Sequence, residues 1–277
     1  MTCTIIDGKQ IGKDTLKKLT KTIKVTHPRL VIHVVGVNVV TDTYVRAKCA
    51  AGARVGIAVE VARHPETISE QELLNAVAES AGRCDGMIVQ LPLPEHIDKK
   101  KILNSIPLEK DADVLSEKTW LRFENEITPL VPPVAGAVLL ARDAYQIDVC
   151  RKKVVIVGYG KLVGQPVAIV LKRRGAHIDV IDSKTSELGR KKLLKEAEVI
   201  VSGVGKQALI KTEDISPGVI LLDGGTSESS GGTAGDIDLG CEEKAAYFAR
   251  VPGGLGPLTV ASLLKNVVEL AQPGRKH

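Results

Sequence analysis

The sequence predicts an α/β protein built from two parallel α/β units in succession, and three observations predict it. The chain has 277 residues, about two domains at roughly 150 residues each. Short runs rich in Val and Ile alternate with helical patterns from one end to the other, as in parallel sheets with crossover helices. The alternation runs twice, and a proline-rich break, ENEITPLVPPVAG, separates the two rounds.

In the first round, RLVIHVVG (Arg29 to Gly36) reads as a strand and TDTYVRAKCAAGARVG as a helix capped near Thr41 or Asp42. IAVEVARH, ending at His64, is the next strand. A helix then opens at Ser69 with a capping box, since Glu72 follows three residues later. GMIVQ (Gly86 to Gln90) closes the round as a buried strand. Pro129, Pro132 and Pro133 break regular structure before a helical stretch from about Val134 to Tyr145. The second round takes KKVVIVG, AHIDVID, AEVIVSG and GVILLDGG as strands. The boundary falls near residues 120–130, giving a first domain over 1–125 and a second over 126–256. GPLTVASLLKNVVELA carries apolar residues at helical spacing, and this closing helix, 257–272, is expected to pack back on the first domain.

Composition narrows the function. Apolar residues make up 44% and charged residues 26%, which is ordinary for a folded globular chain. The net charge of +5 suits an anionic small molecule. Aromatic residues are only 3% and none is interleaved with a basic stripe, so stacking platforms for nucleic acid are lacking and no nucleic-acid partner is expected. The five cysteines, Cys3, Cys49, Cys84, Cys150 and Cys241, are scattered without a CxxC pair and read as buried thiols in a reducing compartment. With no leader-like opening and no apolar run near the roughly 18 residues of a membrane span, the expected location is the cytoplasm, with no membrane partner.

After the strand that ends at Val157 comes Gly158-Tyr159-Gly160-Lys161-Leu162-Val163-Gly164, leading into helical QPVAIVLKRRG. Glycines at such a turn let the backbone approach a pyrophosphate at the positive end of a helix. The last spacing is one residue longer than the standard fingerprint, and a tight strand–helix turn without a ligand is the competing reading. Asp182 ends AHIDVID 24 residues beyond Gly158, where a carboxylate accepts hydrogen bonds from a ribose; a solvated strand-end acid is the alternative. Lys172, Arg173 and Arg174 read as the exposed basic end of a helix.

Tyr44 and Lys48 stand four residues apart on one helix face, and the small residues Cys49, Ala50 and Ala51 after Lys48 favour its desolvation. A desolvated amine exchanges protons near neutrality. The same Tyr-x-x-x-Lys spacing occurs in short-chain dehydrogenases, but there it follows the glycine fingerprint; here it precedes Gly158 by more than a hundred residues. Gln90 ends its strand beside Pro92 and Pro94, a stiff setting from which an amide can orient an amine. EKDADVLS carries Asp111 and Asp113 in a loop, as ligand groups or as turn-forming acids. VPGGLGP, Val251 to Pro257, specifies one unusual backbone path that lines a site or joins domains.

Together these segments resemble the bifunctional methylenetetrahydrofolate dehydrogenase/methenyltetrahydrofolate cyclohydrolase (FolD-type) family over almost the whole chain. YVRAK, GMIVQLPLPEHI, IPLEKDAD, VGYGKLVGQP, DSKT, GDID and VPGGLGPLTVASLLKN occur in the family's order, and VQLPLP and VPGGxGPxT are the specific ones. The resemblance implies a folate-binding catalytic first domain and a Rossmann-like second domain. It implies oxidation of 5,10-methylenetetrahydrofolate with a nicotinamide dinucleotide, then hydrolysis of the methenyl product to 10-formyltetrahydrofolate. It makes Lys48 the proton-transfer residue, with Tyr44 orienting the folate, Gln90 holding Lys48, and Asp113, rather than Asp111, binding the pterin. Pro252, Gly253 and Gly254 would lie against the substrate, and Gly158, Tyr159, Gly160, Gly164, Asp182, Ser183 and Thr226 against the cofactor. No metal is needed, because the methenyl carbon is already electrophilic. A homodimer is the family expectation.

The departures concern the cofactor. Tyr159 and Gly160 stand where the family usually has Arg and Ser. An arginine–phosphate contact is worth about 1.5 to 3 kcal/mol, so its loss weakens the preference for NADP, the family's cofactor. Ser183 suits a 2′-phosphate, whereas Asp182, where the family commonly has histidine, repels one and favours NAD. Val131, Pro133, Val114 and Arg250 also depart from the family pattern. Two rival readings follow: a cyclohydrolase with weak or lost dehydrogenase activity, and a non-catalytic folate-binding protein. Retention of Tyr44, Lys48, Gln90 and Asp113 together argues against the second.

Overall fold

The computed structural model describes residues 2–229 and 232–272. The chain forms two compact units. One holds Lys13–Pro133 and the chain from Val260 onward; the other holds the chain up to Gly12 together with Val134–Thr259.

In chain order, β1 (Thr4–Ile5), α1 (Gly8–Lys18) and α2 (Thr20–Thr26) precede the first parallel sheet. That sheet consists of β2 (Arg29–Val35), β3 (Ala58–His64) and β4 (Gly86–Val89), in the order β3-β2-β4. The central strand β2 is buried along nearly its whole length, as its apolar run, interrupted only by His33, requires, whereas the edge strand β3 is half open. Between them runs α3 (Val39–Val55), which sits down on β3 because Gly52 has no side chain: a Cβ there would lie 2.6 Å from Val59 Cγ2. Its cap is Asn38, whose side chain accepts from the Thr41 amide, rather than Thr41 or Asp42. The β-branched pair Val39–Val40 after Asn38 hides that start in the sequence. The capping box of Ser69 and Glu72 opens α4 (Glu70–Ala81), which buries Leu73 and Val77 against Val31, Met87 and Ile102.

Two short helices follow, α5 (Lys99–Ser105) and α6 (Glu117–Glu124). The latter occupies the region where the domain boundary was expected, and the division falls instead at Pro133, ahead of most of α7 (Pro133–Ala144). Asn266 explains the shift. Its Nδ2 donates to Ala112 O at 2.9 Å and to Val131 O at 2.8 Å, and so ties residue 131 to this unit.

The second sheet has six parallel strands in the order β1-β11-β8-β7-β5-β6. The chain passes through β5 (Lys153–Val157), α8 (Gly164–Lys172), β6 (His177–Ile181), α9 (Glu187–Glu196), β7 (Val199–Ser202) and β8 (Ile220–Asp223). A small antiparallel pair, β9 (Ser227–Ser229) and β10 (Gly232–Ala234), precedes β11 (Tyr247–Ala249). The first residues belong to this sheet, not to a first domain starting at residue 1, because β1 pairs with β11. The Tyr145 hydroxyl secures the segment by donating to Ile5 O at 3.2 Å and accepting from Asp7 N at 3.1 Å. α10 (Leu255–Leu270) ends the described chain, and its residues from Val260 pack in the first sheet's unit, with Val267 and Leu270 over Gly86. Among the described residues no helix is long and apolar enough to cross a membrane. The cysteines are free as expected, but only Cys84 and Cys241 are buried; Cys150 is exposed and Cys3 and Cys49 are half-buried, because they lie on loops and helix flanks rather than core faces.

Candidate active site

Within the 13–133 unit, α3 carries Lys48 at its middle and the end of β4 presents Gln90. Lys48 is 8% exposed, and its Nζ donates to Gln90 Oε1 at 2.8 Å. Gln90 cannot turn its amide the other way without loss, because Nε2 donates to Leu91 O at 3.0 Å and its backbone N–H donates to His33 O at 2.9 Å. The Leu91–Pro92 peptide that follows is cis. Burial pulls the Lys48 ammonium below the ordinary lysine value, with the Asp113 charge pulling the other way. Burial likewise pushes the Asp113 carboxyl up to about 6, against the pull of Lys48 and with the Asp111 charge adding to the rise. An amine and a carboxyl are thus both brought toward neutrality.

The two acids of the DAD loop divide their roles. Residues 110–112 run beside β4, with Met87 N donating to Lys110 O at 2.7 Å and Ala112 N to Met87 O at 3.3 Å. Asp111 is fully buried and accepts from the amides of Leu115, at 3.1 Å, and Ser116, at 2.8 Å, so it shapes the loop. Asp113 is left half-buried on the Lys48 side. Val114, next to it, holds φ at +58° while fully buried. Tyr44 lies one turn before Lys48 on α3, half-buried. His33, which sequence reading passed over, is buried on β2 with Nδ1 3.0 Å from His64 Nε2 and the rings stacked.

In the 134–259 unit the strand order reverses at β5, whose neighbours β6 and β7 lie on opposite sides; ligands of open α/β sheets bind at the carboxyl end of such a switch point. Gly158, at φ +87°, turns the chain there, and its N–H donates to Ile181 O at 2.9 Å. α8 starts at Gly164 with no side-chain cap on its N-terminus. A Cβ on Gly164 would lie 2.0 Å from Gly158 O, so the turn closes only with glycine, while Gly160 has open space around it. The Gln165 amide donates to Gly160 O at 3.0 Å and Pro166 has no N–H, so the room for a pyrophosphate comes from the open turn at Gly160 at the positive end of α8. Tyr159, 46% exposed, is on the rim. Asp182 and Ser183 stand exposed just past β6, and Thr226 is half-buried just past β8.

Two further acids support this end of the sheet. Asp236 accepts from Ser202 Oγ, Val204 N and Lys206 N, each at 2.7 Å, and so fixes the loop after β7. Asp223 accepts from Gly225, Asp236 and Ile237 amides, and burial pushes its carboxyl up to about 7. The sequence signal for both is a glycine beside each acid, in DGG and GDI. Pro252, Gly253 and Gly254 also lie in this unit, in the loop before α10, where Gly8 N donates to Gly253 O at 3.0 Å.

A profile described as tetrahydrofolate dehydrogenase/cyclohydrolase, catalytic domain, matches residues 6–113, and one described as tetrahydrofolate dehydrogenase/cyclohydrolase, NAD(P)-binding domain, matches residues 132–275. The chain is 36% identical over 278 residues to a bifunctional protein FolD of Mycoplasmopsis synoviae, covering 96% of this chain and 99% of that one. Its structure is similar to that of the bifunctional FolD methylenetetrahydrofolate dehydrogenase/cyclohydrolase from Campylobacter jejuni, with TM-score 0.91, 32% identity and coverage of 97% and 98%. It is also similar to the Trypanosoma brucei dehydrogenase-cyclohydrolase solved with NADP and an inhibitor, with TM-score 0.92, 30% identity and coverage of 98% of each chain.

Proposed function

The chain belongs to the tetrahydrofolate dehydrogenase/cyclohydrolase family, and from that premise we propose that Lys48, Gln90, Asp113 and Tyr44 carry its folate chemistry. The enzyme oxidises 5,10-methylenetetrahydrofolate to the methenyl form and hydrolyses that to 10-formyltetrahydrofolate. The carrying observation is the buried Lys48 Nζ held 2.8 Å from Gln90 Oε1.

A lysine drawn below its ordinary value by burial gives up its proton more readily than an exposed one and can serve both directions of proton traffic. Water adds to the methenyl carbon; Nζ takes its first proton, which passes to solvent. The second proton moves through Nζ to N5 as the bond between N5 and the bridging carbon breaks. Gln90 aims Nζ and leaves no charge behind to trap it as ammonium. Asp113, mostly ionised above its value of about 6, accepts hydrogen bonds from the pterin amino and ring N–H groups. Tyr44, on the same face of α3, packs along the folate.

A nicotinamide dinucleotide, when bound, accepts hydride from the bridging methylene carbon. Gly158, Gly160 and Gly164 hold its pyrophosphate at the start of α8, with Tyr159, Asp182, Ser183 and Thr226 around the remainder. Pro252, Gly253 and Gly254 contact the substrate. The protein works as a homodimer in the cytoplasm, a location that its free cysteines suit.

The test is absorbance of the methenyl product. Native protein forms it from methylenetetrahydrofolate with a dinucleotide and hydrolyses it without one. Lys48→Ala lowers hydrolysis by about a hundredfold or more, and undiminished hydrolysis in that variant overturns the assignment.

A further inference from the structure

Resting on the dinucleotide reading above, we infer that Asp182 makes NAD, not NADP, the nucleotide this enzyme selects, by binding the two adenosine ribose hydroxyls and excluding a 2′-phosphate.

Place comes first. Gly158 N bonds Ile181 O at 2.9 Å, so Asp182 is the first residue past the pair that joins the glycine turn to β6. It stands at the carboxyl edge of the sheet, on the side to which a ribose extends from a pyrophosphate on α8. Orientation comes next. Asp182 Oδ1 accepts from Lys184 N at 2.9 Å and from Thr185 Oγ1 at 3.2 Å, and the Asp182 amide donates back to Thr185 Oγ1 at 3.0 Å. One carboxylate oxygen thus builds the turn. The residue is exposed, so ribose hydroxyls can reach the carboxylate from solvent. The Lys184 amide and Thr185 hydroxyl bonds hold the carboxyl below the usual carboxylate range, so it is charged throughout the neutral region.

A 2′-phosphate brings about two negative charges to a carboxylate that is already fixed and ionised. The cation acting on Asp182 is Lys184, an exposed lysine on a flexible stem, and no guanidinium occupies the glycine turn, where Tyr159 stands. Ser183 offers a neutral hydroxyl to either nucleotide. Two charge-assisted bonds to ribose hydroxyls therefore favour NAD, and repulsion disfavours NADP.

Calorimetric titration of the native protein with NAD and with NADP, without folate, reads the choice directly. The expected result is at least about tenfold tighter binding of NAD, with the NADP deficit shrinking as salt rises. Asp182→Asn keeps an Oδ1 for the Lys184 amide and removes the charge. It should weaken NAD binding, strengthen NADP binding and bring the two within about threefold. Equal or tighter NADP binding by the native protein overturns the inference, as does an unchanged ratio in Asp182→Asn. If neither nucleotide binds the native protein, the dinucleotide reading itself falls and takes this inference with it.

Discussion

Asp236 fills the space that a side chain on Gly225 would need: a Cβ there would lie 2.0 Å from the Asp236 carboxyl carbon. The converse pair is almost as tight, since a Cβ on Gly235 would lie 2.1 Å from Asp223 Oδ2. Each acid is seated by the glycine that neighbours the other acid in sequence, so the ends of β8 and the 235–237 segment lock together.

Gly225→Ala therefore expels the Asp236 carboxylate from three donors, Ser202, Val204 and Lys206. A cost of about 2–4 kcal/mol is expected. Thermal melting should show it, with weaker dinucleotide binding by titration, while methenyl hydrolysis per folded molecule stays near native.

Gln90→Glu places a carboxylate where a neutral amide now sits 2.8 Å from Nζ. An adjacent negative charge favours ammonium and raises the Lys48 pKa. The pH–rate curve for methenyl hydrolysis should move to higher pH, with the rate at pH 7 down about tenfold. An unmoved curve would show that the amide does not tune the amine.

Asp113 has a folded value of about 6, above its ordinary 3.8, so the folded state holds this proton more tightly than the unfolded one. The resulting stability is fully present below about pH 4 and is lost as pH rises through about 6. Asp113→Asn should consequently melt higher than native at pH 7.5, by about 1–2 kcal/mol after discounting for solvent and for Lys48. The difference should fade as pH approaches 4. Folate affinity should drop at every pH.

Val114 keeps a positive φ that a β-branched residue adopts only under strain. Val114→Gly relieves about 1–2 kcal/mol of backbone cost and forfeits about 2 kcal/mol of apolar burial. Urea unfolding should place this variant within about 1 kcal/mol of native. Val77→Gly, equally buried but inside α4, should lose about 4 kcal/mol.

What could be read from the residues was mostly local. The runs at Arg29–Val35 and Lys153–Val157 are apolar because both faces of those strands are covered, and Ser69 with Glu72 marks its helix start through bonds three residues apart. Lys48 and Gln90 are recognisable as types from the residues alone, but with 42 residues between them their pairing is legible only through the family resemblance. β1 escaped notice because two residues carry no periodicity; its partner β11 lies at the far end of the chain. The boundary was misplaced because Pro129 and Pro132 look like a linker, while the bonds that bind residue 131 come from Asn266. Asp111 and Asp113 differ by burial, a property of the folded loop.

β1 pairs with β11, more than two hundred residues further along the chain, and the latter half of α10 completes the core around Gly86. Neither unit is thus encoded by one uninterrupted stretch of gene. A cut at the prolines would yield two fragments, each lacking a piece of its own interior, so recombination at that point cannot trade one half for another. Inheritance of this architecture is all or nothing: a lineage wanting a different nucleotide must alter side chains in place.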